Sequence, residues 1–237
     1  MGIKDSIKGF LKMTGHYSGS AVFLAENGYC DKYIEMLRGE LETAGKAADI
    51  AQGQALLAQG LMFKGEVKKS LGEYEKVDID RLGRDEGAAF VGNYALCLFL
   101  LDRPQRIRQL LIDRNREAFS GGTLIMRRTV GIREYIEKRY ENAVTVFLKL
   151  LSEPDPRVTL MADICLVKAM LKLDMRERAK EIAELGFDRY RGMGEITTEV
   201  GKLRLEINSQ KGVRKNTGKK NKKPANKNQA LKCKIYK

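Results

Sequence analysis

A period of 36 or 37 residues runs through this chain. Small or slim side chains recur at Ala21, Ala58, Ala95, Gly131 and Val167, spaced 37, 37, 36 and 36 residues apart. Three residues after each stands Leu24, Leu61, Leu98, Glu134 or Met170, and four later a turn residue, Gly28, Gly65, Asp102, Lys138 or Asp174. Five past each turn comes Tyr33, Ser70, Ile107, Ala143 or Ala179, and four more gives Leu37, Tyr74, Leu111, Phe147 or Ala183. Sequence periods of this length mark repeat architectures. A small residue lets one helix backbone approach the next, the larger neighbours fill the groove beside it, and a short turn reverses the chain. A lone helical hairpin leaves an apolar face uncovered, so such units must stack.

Within the units the apolar spacing is helical. Across Glu134–Leu151, Tyr135, Ile136, Tyr140, Ala143, Val144, Phe147, Leu150 and Leu151 fall at steps of three and four and form one broad stripe. Pro154 and Pro156 end that stretch, and Val158 opens the next. Long runs of β-branched alternation are missing. The expected class is all-α: about five hairpins over residues 14–190, a short capping helix over 1–13 and a closing helix over 191–210. In the closing helix Ile196, Val200, Leu203, Leu205 and Ile207 stand among charged neighbours, after a break at Gly192 and Gly194. Pro104 fits the unpaired first turn of a helix.

The unit Val130-Gly131 … Tyr140-Glu141-Asn142-Ala143 … Phe147 … Leu150-Leu151 … Pro154 resembles the tetratricopeptide repeat (TPR) pattern of Leu-Gly, Gly-x-Tyr-x-x-Ala, Phe, Ala-Leu and Pro. Ala58, Leu61, Lys64-Gly65-Glu66-Val67, Ser70 and Tyr74 match it more loosely. The period exceeds the family's 34 residues, and Glu134 and Lys138 replace a large residue and a glycine. Other helical-hairpin repeats share these features. The resemblance implies a right-handed superhelical stack of TPR-like hairpins that binds protein segments on its inner face.

Charge is segregated along the chain. Of 44 Lys and Arg residues, eleven lie in Lys211–Lys237, which holds no Asp or Glu. The net charge of +13 therefore belongs almost wholly to the tail, and residues 1–210 are nearly neutral. Rich in Lys, Asn and Gly, residues 211–237 bury too little to fold and are expected to be disordered. Lys215, Lys219, Lys220, Lys222, Lys223 and Lys227 would bind nucleic acid non-specifically, on a ribosome for example, through counterion release. They would also suit an anionic membrane surface or an acidic protein.

Catalysis is not expected. A single histidine, His16, rules out chemistry that needs two imidazoles. Cys30, Cys97, Cys165 and Cys233 lack metal or dithiol spacing, and Cys97 and Cys165 sit in apolar runs as small core residues. Neither phosphate-loop nor dinucleotide motifs occur. Gly121-Gly122-Thr123 reads as a loop, and the carboxylate pairs Asp78/Asp80 and Asp85/Glu86 as solvated connections. No cofactor or metal is implied. No apolar run is long enough to span a membrane, and reduced thiols without a leader point to the cytoplasm.

The better candidate is the inner face of the first helices. By register it carries Gln59, Phe63, Asn93, Arg128, Tyr135 and Lys168: an apolar groove with amide and cationic handles for a peptide or protein. Its apolar members serve equally well as core between helices. The expected function is a non-catalytic interaction scaffold or adaptor, with nucleic-acid or ribosome association through the tail as the alternative. The sequence does not set the oligomeric state.

Overall fold

The computed structural model describes residues 30–119, 124–152 and 161–209. Among these residues there are eleven α-helices, two short 3-10 segments and no strand, so the chain is all-α. The helices are α1 (Cys30–Thr43), α2 (Ala47–Lys64), α3 (Val67–Tyr74), α4 (Arg84–Leu100), α5 (Pro104–Asp113) and α6 (Asn115–Phe119). They continue with α7 (Leu124–Ile136), α8 (Tyr140–Leu151), α9 (Ala162–Lys172), α10 (Arg176–Gly186) and α11 (Gly194–Asn208). Four hairpins result: α2/α3, α4/α5, α7/α8 and α9/α10. The first helices α2, α4, α7 and α9 each pack on the next in chain order, while α1 packs on α2, α3 on α4 and α8 on α9.

One turn geometry repeats in all four hairpins. Gly65, Asp102, Lys138 and Asp174 adopt left-handed backbone, with φ of 89°, 53°, 63° and 55°. In the first turn the Gly65 N–H donates to the Met62 carbonyl at 3.0 Å and the Glu66 N–H to that of Leu61 at 2.9 Å. The same two bonds recur at Asp102 and Arg103, at Lys138 and Arg139, and at Asp174 and Met175. This is the Schellman termination, which satisfies carbonyls a helix end leaves unpaired. The turn residues read from the sequence period thus sit where the backbone becomes left-handed. Lys138 divides the stripe over Glu134–Leu151 between the end of α7 and the start of α8. Pro104 opens α5, where no helical partner exists for its nitrogen.

The Schellman turn brings the third-last helical residue beside the second residue after the helix, most often as a hydrophobic contact. Between α7 and α8 that pair is charged. Arg139 Nε and Nη2 donate to Glu134 Oε2 and Oε1 at 2.6 and 2.7 Å, and Asn142 Nδ2 adds a bond of 3.0 Å. The odd member of the repeat therefore builds the same corner with a bidentate ion pair.

The small positions do what the period requires. Ala58, Ala95, Ala143 and Ala179 are fully buried. Ser70 Oγ donates to the Ala58 carbonyl at 2.7 Å, closing α3 onto α2. A Cβ on Gly131 would enter the ring of Phe147, and one on Gly92 would meet Ile125 and Thr129. α7 thus approaches α8 and α4 too closely for a larger residue.

α11 departs from expectation. Read as a cap on the last hairpin, it does pack on α9 and α10 through its buried residues Ile196, Val200, Leu203 and Ile207. Its first turn, however, reaches back to the α2–α3 turn. The Glu195 N–H donates to the Gly65 carbonyl at 2.8 Å, and Glu195 Oε2 accepts from the Lys68 N–H at 2.8 Å. Glu195 thereby caps α3 from 127 residues away. At the other end of α11, Arg176 Nη1 donates to the Glu206 carbonyl at 2.9 Å. Fifteen helical residues extend about 22 Å, so α11 is a strap from the α2/α3 hairpin to the last. The sequence period does not foresee α6 or the 3-10 segments Ile79–Arg81 and Phe187–Tyr190. The opening helix over 1–13, His16, the first-unit positions Ala21, Leu24 and Gly28, and the basic tail with Cys233 lie outside the described residues.

Two predictions follow from the turns. A Cβ at Gly65 would collide with the Met193 carbonyl and the Gly194 nitrogen, backbone atoms that cannot yield. Urea titration is expected to show Gly65→Ala destabilised by about 2 kcal/mol or more and Lys138→Gly stabilised by up to about 1 kcal/mol. The second concerns acid. The Arg139 hydrogen bonds hold the Glu134 carboxyl down to about 2, further lowered by Asn142 and Arg133. A carboxyl depressed on folding stabilises above its unfolded value of about 4.3 and loses that contribution as pH falls through its folded value. Stability should fall between about pH 5 and 2. Glu134→Gln should flatten part of that slope and cost about 1 kcal/mol at pH 7, a modest sum because half-exposed Arg139 is screened.

Candidate functional site

The six inner-face residues expected from register have different fates. Phe63 (3% exposed) and Arg128 (2%) are core residues rather than open handles, because neighbouring helices close over their side chains. Tyr135 is half-buried, with its ring edge-on to Phe99 and to Tyr140 at centroid separations of 5.0 and 5.4 Å. Lys168 is covered by α11: its Nζ lies 2.6 Å from Glu199 Oε1 and 5.2 Å from the centre of the Phe99 ring. Both partners of that pair are mostly buried, so the strap holds its charge by a neutralised contact. Gln59 and Asn93 line a cleft, Asn93 with only 5% of its surface exposed.

That cleft lies between α2 and α4. Ala55, Leu56, Leu82, Ala89 and Phe90 make it apolar, and Gln52, Gln59, Glu86 and Asn93 place polar atoms along it. Its enclosed volume is about 90 Å³, within about 400 Å³ of space that includes the open mouth. Tyr74 lines it from the second helix of the hairpin, its ring stacked on Tyr94 at 5.3 Å and edge-on to Phe90 at 5.5 Å.

Behind the cleft stands a buried cation. Arg128 Nη2 donates to Asn93 Oδ1 at 2.6 Å, but its Nε has no partner. Among the described residues no carboxylate pairs with this guanidinium, and burial pulls its pKa down. The nearby Tyr74 hydroxyl is also buried without a partner, and burial pushes its pKa well up. Buried polar groups are nearly always satisfied, and buried charges nearly always paired. A guanidinium and a phenol are thus left incomplete beside one cleft, Tyr74 in its wall and Arg128 behind Asn93. The sequence places Arg128 on the inner face but hides Tyr74, which reads as a repeat-register core residue. The 35-residue spacing of Asn93 and Arg128 is the one available signal, since it puts them one repeat apart.

A second hollow, on the outer side, is lined by Arg108, Ile112, Phe119 and Arg133 among others, with the Arg133 guanidinium 4.4 Å over the Phe119 ring. The three described thiols, Cys30, Cys97 and Cys165, are buried. Cys97 and Cys165 are fully buried, and desolvation pushes both up to about 12. Asp78 caps the 3-10 segment by accepting from the Asp80 N–H, and Asp80 pairs with Arg114 at 2.7 Å. Among the described residues no three His, Cys, Asp or Glu side chains gather as a metal site, and no helix is long and apolar enough to cross a membrane. No protein-family model, curated protein or solved structure matches this chain.

The Lys168–Glu199 pair predicts how α11 is held. Lys168→Ala would leave the mostly buried Glu199 with only its longer contact to Lys202 Nζ at 3.4 Å, at a cost of about 1 kcal/mol. Hydrogen exchange should then accelerate across Gly194–Asn208 while the amides of α8 keep their protection.

Proposed function

We propose that this protein is a non-catalytic interaction module: a TPR-like superhelical stack of helical hairpins whose inner face receives a protein or peptide segment. The observation that carries this reading is α11 itself. An amphipathic helix of this chain packs on α9 and α10 and reaches the α2–α3 turn, held by the Lys168–Glu199 ion pair, by the Glu195–Gly65 backbone bond and by four buried apolar residues. Helix-in-groove recognition uses the same elements: apolar anchors at spacings of three and four, with charges fixing the register. The cleft between α2 and α4 offers a further apolar surface on first helices, and the amides of Gln52 and Gln59 along it suit backbone groups of an incoming segment. The reading assigns no catalytic residue and no cofactor, and it takes the protein to work as a cytoplasmic scaffold or adaptor.

A second reading draws on the charge segregation. Eleven cations without one carboxylate in residues 211–237 suit a phosphate backbone, and binding of that kind weakens steeply as salt rises. Nucleic-acid or ribosome association through Lys215, Lys219, Lys220, Lys222, Lys223 and Lys227 would then add to the groove's selectivity.

One experiment separates the two. Full-length protein, residues 1–210 and full-length Ala89→Trp serve as bait in cell extract, with nuclease and salt controls. Ala89 lines the cleft, and a tryptophan there fills it. A groove partner should bind residues 1–210 as well as full length and lose roughly tenfold in affinity to Ala89→Trp at unchanged helix content. A tail partner should vanish with truncation, nuclease or high salt and ignore the tryptophan. Capture indifferent to Ala89→Trp would remove the groove assignment.

A further inference from the structure

We propose that the cleft between α2 and α4 binds a carboxylate carried on an apolar body, with Asn93 and Tyr74 as its donors and the Arg128 guanidinium as the buried countercharge. The inference deepens the groove reading above and rests on the inner face being a binding surface.

Three observations converge. The first is the unbalanced charge. Arg128 is 2% exposed and has one hydrogen bond, to a neutral amide, in place of the carboxylate a buried guanidinium ordinarily meets. An uncompensated cation in a low-dielectric setting costs several kcal/mol, and an incoming anion offsets that cost. The second is the orientation of the donors. Asn93 Oδ1 is committed to Arg128, so the amide's remaining group is its Nδ2 donor, on a residue that lines the cleft. The Tyr74 hydroxyl has no partner among the described residues and is buried, on a residue whose ring lines the cleft. Two donors backed by a cation select an acceptor of negative charge. The third is the rest of the wall. Ala55, Leu56, Ala89 and Phe90 offer apolar surface to the body behind that group. Glu86, the one carboxylate lining the cleft, would repel a ligand with a second negative charge near it, which favours a monoacid.

The same chemistry exists as a free amphiphilic acid and as a glutamate flanked by leucines in a peptide. Calorimetric titration of the full chain therefore uses octanoate, octanol and an acetylated, amidated Leu-Leu-Glu-Leu-Leu peptide. Octanoate, the peptide or both should bind, with octanol at least about tenfold weaker than the acid that binds. Octanoate binding without the peptide identifies a free acid, and the reverse identifies a protein segment. Tyr74→Phe removes a hydroxyl that bonds to nothing in the protein, so its melting temperature should hold while acid affinity falls about fivefold. Arg128→Met should lose the preference for acid over alcohol without melting lower, because it removes an unpaired buried charge. Equal binding of acids and octanol, or binding of none, overturns the proposal. So does Tyr74→Phe with unchanged acid affinity, or Arg128→Met that melts lower and still prefers the acid. Either failure leaves the groove reading to be decided by partner capture with Ala89→Trp.

Discussion

The left-handed corner is the interaction on which the rest depends. Four helices end on one residue of positive φ, and two backbone bonds per corner fix the direction in which the next helix leaves. Because the corner recurs every 36 or 37 residues, each of the four hairpins reverses the chain in the same way. The side chains at the corners differ widely: glycine, two aspartates and a lysine. The backbone bonds do not. Where the chemistry of a corner changes, as at Glu134 and Arg139, an ion pair takes over the work of an apolar contact while the backbone stays the same.

The repeating part of the fold was therefore legible. The small residue, the corner and the two buried positions of the second helix each occur once per unit, and an error in one unit is corrected by the other four. The strap was not. Ile196, Val200, Leu203 and Ile207 announce an amphipathic helix, but amphipathicity does not say which apolar face a helix covers. The deciding contacts, Glu195 with Gly65 and Lys68, join residues 127 or more apart that share no pattern. The extra helix α6 has the same explanation, because it lies in a connection outside the repeat.

The candidate site was legible by position and obscure in burial. Register correctly gathers Gln59, Asn93, Arg128 and Lys168 on first helices. It cannot tell a groove handle from a buried one, because that depends on how closely α4 and α7 approach. Gly92 sets that approach, and with it the sealing of Arg128. Lys168 looks the same as Arg128 in sequence yet meets a carboxylate, supplied by α11. Two cations on one face thus end in opposite electrostatic states, one compensated within the chain and one not. Tyr74 escaped notice because its ring is core while its hydroxyl is not satisfied there.

Glu195 against Gly65 also bears on how the molecule comes apart. An open row of repeats holds mostly local contacts, so it frays from its ends and populates partly unzipped forms. Fastening the final helix to the α2/α3 hairpin makes those forms lose a distant bond at once, which penalises them relative to both the intact and the fully unfolded chain. A single cooperative transition, bought with slow closure of a very long loop, is the behaviour such a fastening imposes.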